Sequence, residues 1–159
     1  MIVVADTSPL NYLIQIQCDF VLPRLYRIVV VPVGVIEELQ SPAAPTTVKS
    51  WIDCPPAWIE IRQLAASPDP ELSYLGRGER EAIQLAEEHT EALLLIDERK
   101  GRSEAMRRGL YTTGILGVLL AAGEAGLVHP PDAYRRLIGE TTFRTSAALE
   151  AEFLRRFLQ

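Results

Sequence analysis

The chain is poor in thiols and imidazoles, with two cysteines and two histidines in 159 residues. Cys18 and Cys54 form no CxxC pattern and are too few for a disulfide framework, so both read as core thiols of a protein kept in a reducing cytosol. His89 and His129 stand far apart in sequence, and nothing in their spacing suggests a metal pair. Long apolar runs are missing as well. The longest, Ile28 to Ile36 and Ile115 to Gly123, stop short of the roughly 20 residues that span a bilayer, so no membrane span is expected. A secretory signal is not expected either, because Asp6 interrupts the first apolar run and no basic residue precedes it. Excess positive charge is absent: the formal net charge is −5 and the pI ≈ 5.1. That balance argues against a protein that coats nucleic acid non-specifically. Acids gathered in one metal site lower the pI without making the rest of the surface acidic. No Walker A, GxGxxG, GxSxG or HExxH motif occurs, which removes the common nucleotide-binding, hydrolase and zinc-peptidase signatures.

What is present is a globular composition, 48% hydrophobic and 23% charged, in a length suited to one domain over residues 1–159. No internal repeat or low-complexity segment appears. Ile2 to Ala5 reads as a strand ending at Asp6. Thr7, Ser8 and Pro9 then read as a helix start, with Ser8 as N-cap and Pro9 at the first helical position. After a helical piece over Phe20 to Tyr26, Ile28 to Val31 is a β-branched strand closed by Pro32, which opens a helix carrying Glu37 and Glu38. At about 100° per residue, the Val35/Ile36/Leu39 face lies about 100° from Glu38 and about 155° from Glu37, so Glu38 is the better candidate for reaching inward. Val48 to Ile52 is a short helix and Trp58 to Ile61 a strand. Gln63 to Tyr74 is a polar, proline-bearing loop, either a flap or a plain connector.

The centre of the chain is Gly76 to Arg102. From Glu79 to about His89 the apolar residues recur at helical spacing, and Ala92 to Ile96 is an unbroken apolar strand. A helix of that length descends roughly 16 Å and the strand climbs back roughly 17 to 20 Å, which brings Glu79 and Asp97 to the same end. Glu79 lies near the centre of the Ala82/Ile83/Ala86 stripe, whereas Glu81, Glu87 and Glu88 point away from it. Each acid also has an ordinary explanation: first-turn stabilisation by the helix dipole for Glu79, and N-capping of the next helix for Asp97. Glu98 to Arg108 is helical and ends at Gly109; Leu110 to Thr113 is an edge strand; Ile115 to Ala125, Asp132 to Ile138 and Ser146 to Leu158 are helices. The last carries an apolar stripe (Leu149, Phe153, Leu154, Phe157, Leu158) suited to core packing or, alternatively, to a dimer or partner surface.

Strands alternating with helices call for a parallel sheet covered on both faces, with ligands bound outside the strands' carboxyl ends. Asp6, Glu79 and Asp97 are expected at that edge, with Glu38 on a neighbouring helix. Several carboxylates in one place repel one another unless a cation compensates. Oxygen-only ligands favour a hard ion, Mg²⁺ or Mn²⁺.

The order of these pieces resembles the PIN domain of VapC-type toxin ribonucleases. The resemblance rests on AspThrSer after the opening strand (Asp6, Thr7, Ser8), GluLeu after the second (Glu38, Leu39), an acidic residue heading a helix that ends in alanine (Glu79 to Ala86), and an apolar strand ending in Asp97. It is closest to a subgroup with glutamate in the third place: LeuGlyArgGlyGlu, then IleAspGluArgLysGlyArg and ThrGlyIleLeuGly. The match runs from about Ile2 to Leu127, with C-terminal helices over about 130–158 appended. It implies a three-layer α/β/α sandwich on a mainly parallel sheet and a Mg²⁺- or Mn²⁺-dependent endoribonuclease acting on RNA. Asp6, Glu38, Glu79 and Asp97 would be metal ligands, with Thr7 or Ser8 as a hydroxyl helper. It further implies a small antitoxin as partner, and a homodimer is the expected assembly. Many relatives carry Asp where Glu79 stands, and only Glu98 matches the further acid some carry after the fourth position, which leaves one or two ions open. Arg99, Lys100 and Arg102, in the first turns after Asp97, are expected RNA contacts. Two other readings share the acid cluster: a PIN-fold binding module that cleaves nothing, and a metal-dependent phosphatase.

Overall fold

A computed structural model describes residues 1–157. Its sheet contains β1 (Ile2–Ala5), β2 (Val29–Pro32), β3 (Ile59–Arg62), β4 (Ala92–Leu95) and β5 (Tyr111–Thr113), in the order β3-β2-β1-β4-β5. Every neighbouring pair is parallel. The strands are short and apolar because both faces are covered, and their alternating side chains separate into two cores. Val3, Ala5, Val29, Val31 and Leu95 join one core; Val4, Val30, Leu94 and Ile96 join the other.

The first core is closed by α1 (Thr7–Gln15), α2 (Val21–Tyr26), α3 (Val33–Leu39), α4 (Thr46–Asp53), α7 (Ile115–Glu124), α8 (Pro130–Glu140) and α9 (Ala147–Arg155). The second is closed by α5 (Arg77–Glu87), through Ala82, Ile83, Leu85 and Ala86, and by Ala105 of α6 (Arg99–Arg107). The result is the expected three-layer α/β/α sandwich, with a sheet that is wholly parallel. No helix among the described residues is long and apolar enough to cross a membrane.

Two local expectations change, the first N-cap and the burial of Cys54, and two further segments gain detail. The first helix starts at Thr7, so Asp6 rather than Ser8 holds the N-cap position. Asp6 is still extended and donates its amide to the Leu95 carbonyl at 2.9 Å, so strand turns directly into helix and Ser8 falls inside the first turn. Cys18 is buried, but Cys54 is exposed where the chain leaves α4 toward Pro55. Glu81 is not a solvated acid: it accepts from the Gly34 amide at 2.9 Å and from Arg77 at 2.7 Å, which ties α5 to α3. The loop after β3 is fastened to α5. The Ala65 amide donates to Glu88, the Gln84 side chain donates to the Ser67 carbonyl and accepts from the Asp69 amide, and Leu72 and Leu75 are buried.

In the C-terminal stripe Phe153 is core and packs on Tyr134 with ring centroids 5.5 Å apart. Leu149 is 53% exposed, and Leu158 lies outside the described residues.

Candidate metal centre and the cleft beside it

Parallel pairing sets the geometry. Ala5 pairs with Leu95 on the two central strands, so Asp6 and Asp97 leave the sheet at the same edge, one and two residues beyond that register. Gly76 caps α5, which places Glu79 in its first turn beside the same edge. Glu38 arrives from the last turn of α3: it accepts from the Thr7 hydroxyl at 2.5 Å and from the Gly78 amide at 2.8 Å. Glu37, one residue earlier, turns to the surface and pairs with Arg77. The helical wheel therefore separated the two glutamates correctly, although Glu38 remains solvent-exposed.

The energetics of the cluster are those of an incomplete site. Asp6 is 1% exposed. Burial pushes its carboxyl up to about 8; the Thr7 amide opposes the shift, and the charges of Glu79, Glu38 and Asp97 add to it. Asp97 is pushed up to about 6, again chiefly by burial, with the Ile115 amide and Arg102 opposing. Glu79 is raised by burial and then by Glu98 and Glu38. Among the described residues the buried side-chain oxygens without a hydrogen-bond partner are Asp6 Oδ1, Glu79 Oε2 and Asp97 Oδ2. A buried polar atom without a partner costs on the order of 1–3 kcal/mol, more when charged. Three such atoms, one on each of three acids at one sheet edge, are oxygen donors of the type that hard divalent cations take. As the side chains stand, no group of three or more His, Cys, Asp or Glu among the described residues is placed so that it could hold a metal ion.

Asp97 also caps a helix, though not the one expected. Its Oδ1 accepts from the Ile115 amide at 2.9 Å, at the start of α7, while α6 has Glu98 at its N-cap position. The two hydroxyls diverge. Thr7 is committed to Glu38, and Ser8 lines a neighbouring cleft.

Two glycines missed in the sequence bring backbone against these acids. A Cβ on Gly78 would lie 2.6 Å from Glu38 Oε2 and 2.8 Å from Thr7 Oγ1, and one on Gly101 would lie 2.5 Å from Glu79 Oε2. Both stand inside the Gly76–Arg102 stretch, and the LeuGlyArgGlyGlu and LysGlyArg spacings were the available signal.

Beside the cluster opens a cleft of about 690 Å³. Its lining includes Arg99 and Arg102 of α6, the start of α7 at Gly114, Leu116 and Gly117, and Phe143, Arg144 and Thr145 after α8. Lys100 lines a second depression with Tyr74, Arg99, Ser103, Glu104 and Arg107, so that Arg99 and Ser103 border both hollows. Of the three cations expected together, Arg102 lines the first hollow, Lys100 the second and Arg99 both.

A wholly parallel α/β/α sandwich with buried acids at its carboxyl edge belongs to the class of α/β folds that bind ligands outside the strand ends. A family model described as PIN domain (DUF3368) matches residues 2–159, and the chain belongs to the PIN domain family. PIN domains are a nuclease fold family whose members generally use divalent metal ions. Among solved structures, a PilT N-terminus domain protein from the hyperthermophilic archaeon Sulfolobus solfataricus P2 is similar, with TM-score 0.54 and 18% identity over 77% of this chain and 93% of that one. The PIN domain endonuclease Utp24 is similar at TM-score 0.52 and 14% identity, over 70% and 83%. No curated protein gives a significant match.

Proposed function

We propose that the protein is a Mg²⁺- or Mn²⁺-dependent endoribonuclease, with Asp6, Glu79 and Asp97 as metal ligands and Glu38 as the fourth acid. The observation that carries the reading is the set of three unpartnered buried oxygens on three acids at one sheet edge. When bound, such an ion supplies charge for a developing oxyanion and a more acidic water. The chain's own part is to fix that geometry: Thr7 and the Gly78 amide hold Glu38, and the Ile115 amide holds Asp97. Asp6, buried and surrounded by acids, takes a proton readily until a cation replaces it. The VapC-like likeness of its motifs supports a toxin role, with a small antitoxin as partner and a homodimer as the assembly.

The test is cleavage of single-stranded RNA with Mn²⁺ or Mg²⁺, in the wild type and in Asp6→Asn. Metal-dependent cleavage that is lost in the variant is the expected result. RNA binding without cleavage assigns a binding module instead. Hydrolysis of a chromogenic phosphomonoester with RNA left intact assigns a phosphatase.

A further inference from the structure

We infer that the cleft between α6 and the segment after α8 is the track for the strand flanking the cut, with Arg102 and Arg144 clamping a backbone phosphate from opposite walls. This rests on the nuclease reading and adds to it a positioning residue, Arg144, that lies far along the chain from the acidic motifs.

Three observations converge on the cleft. The first is charge. Its lining holds Arg99, Arg102 and Arg144 against Asp97 and Glu98, and both of those acids sit at the end that joins the metal centre. The lining thus carries three arginines against two acids, a basic surplus beside the acidic cluster that suits a phosphate backbone.

The second is availability. Three nearby arginines are spoken for: Arg77 of α5 by Glu37 and Glu81, Arg107 of α6 by Glu104, and Arg108 just past α6 by Asp69, Glu87 and Glu104. Arg99 and Arg102 have no carboxylate partner among the described residues. Arg144 is anchored in a different way: Nη1 donates to the carbonyls of Ile138, Thr141 and Phe143, at 3.2, 3.3 and 2.5 Å. Among the described residues its Nε and Nη2 have no acceptor. A guanidinium held by backbone on one side and open on the other has already lost much of the side-chain freedom that phosphate binding would otherwise remove, and its planar fork suits phosphate.

The third is the floor. Asp97 takes the Ile115 amide, so the next first-turn amides of α7, on Leu116 and Gly117, have no intrahelical acceptor and stand at the cleft wall. Amides at a helix start favour an anion. The hydroxyls of Ser8, Ser103, Thr112, Thr113 and Thr145 add neutral donors. The second depression shares Arg99 and adds Lys100, and its Arg107 is paired with Glu104 within the same hollow.

The chemistry recognised is a phosphodiester backbone, which RNA and single-stranded DNA share. The test is fluorescence anisotropy of a labelled 12-nucleotide single-stranded RNA, and of its DNA counterpart, on the full chain. Ca²⁺ replaces Mn²⁺, and gels check that the strand stays intact. Arg102→Ala and Arg144→Gln are each expected to weaken binding about fivefold to tenfold and to lower the slope of log affinity against log salt by about 0.7. The glutamine keeps a donor for the carbonyls after α8, so a thermal melt close to wild type separates lost charge from lost structure. Lys100→Ala, and Arg24→Ala on α2, are expected to leave the slope unchanged. Equal losses for RNA and DNA assign recognition to the backbone, and losses confined to RNA assign it to the strand that carries 2′-hydroxyls. An unchanged slope in both Arg102→Ala and Arg144→Gln overturns the clamp while leaving cleavage, and so the nuclease reading, intact. The expected slopes without cleavage under any divalent ion keep the track and overturn the nuclease reading. A wild type that binds neither strand overturns both.

Discussion

Helix α6 joins two acid-rich regions whose electrostatics run in opposite directions. At its start stand Asp6, Glu38, Glu79 and Asp97. Past its end, Arg108 makes ion pairs with Asp69 and Glu87 at 2.9 Å, Glu104 at 3.1 Å and Glu71 at 3.4 Å. There the Tyr74 hydroxyl, and then Arg107, hold Glu104 down to about 2, and Arg108 lowers Asp69. At the other end Asp6 and Asp97 are pushed up, and three oxygens lack partners. Each region gathers four carboxylates, but only one has its cations built in. The arginine-centred group is a finished piece of structure that straps the loop after β3 onto α6. The other region has no such cation among its hydrogen-bond partners in the described residues, and it is the one to which the proposed function assigns a metal.

The largest expected effect falls on the incomplete region. Asp6→Asn, Glu79→Gln and Asp97→Asn should each lower the cleavage rate by about a hundredfold or more, the scale for a ligand acting through a metal. Steady-state kinetics with Mn²⁺ check this, and retention of more than a tenth of wild-type activity in any of the three removes that residue from the ligand set. Gly101→Ala comes next. Its Cβ would press on Glu79 Oε2 and on Ile96, so activity should fall by on the order of tenfold while the protein stays folded.

In the finished region the effect should be on stability. Arg108→Ala leaves Glu104, Glu87 and Asp69 without their shared cation, and the melting temperature should drop on the order of 5 °C. A drop of that size in Asp97→Asn, and none in Arg108→Ala, would reverse the roles assigned to the two regions.

Acid titration of the metal-free protein separates them further. Asp6 has an ordinary value of 3.8 and a folded value of about 8, so the fold binds its proton more tightly than the unfolded chain does. Stability should therefore rise as pH falls from about 8 toward 4, with Asp97 adding the same sign from about 6 downward. Glu104 works the other way: with an ordinary value of 4.5 and a folded value of about 2, it contributes stability that is present above about 4.5 and lost as pH falls toward 2. Melts in EDTA across this range should peak near pH 4 to 5, and a maximum at pH 7 to 8 would contradict the assignment. The smallest effect is Glu37→Gln, which removes only an exposed pair with Arg77 and should change activity less than twofold, against a clear loss for Glu38→Gln.

Much of this division could be read in the sequence because it rests on local periodicity. Asp6 and Asp97 follow apolar runs, Glu79 heads a helical stripe, and one turn of a helical wheel distinguishes Glu38 from Glu37. What could not be read depends on contacts between distant segments. Glu81 lies off its own helix's stripe, yet it is held by the Gly34 amide from α3. Asp97 caps α7 and not α6 because the edge strand β5 returns the chain beside it. Arg144 follows no periodic pattern and reaches the cleft only because α8 ends there. Cys54 reads as apolar in composition, but it stands exposed at the C-terminal cap of α4, just before two prolines.

The most direct measurement is a four-corner set of thermal melts: wild type and Asp97→Asn, each with and without Mn²⁺. Asparagine retains Oδ1 as an acceptor for the Ile115 amide, so the comparison removes charge while sparing the cap. Without metal, the variant should be as stable as wild type or more so, because like charges are relieved. With Mn²⁺ at about a hundred times its dissociation constant, wild type should gain about 2.7 kcal/mol and the variant little. A wild type indifferent to both Mn²⁺ and Mg²⁺, or a variant that gains as much as wild type, would contradict the assignment of these carboxylates to a metal.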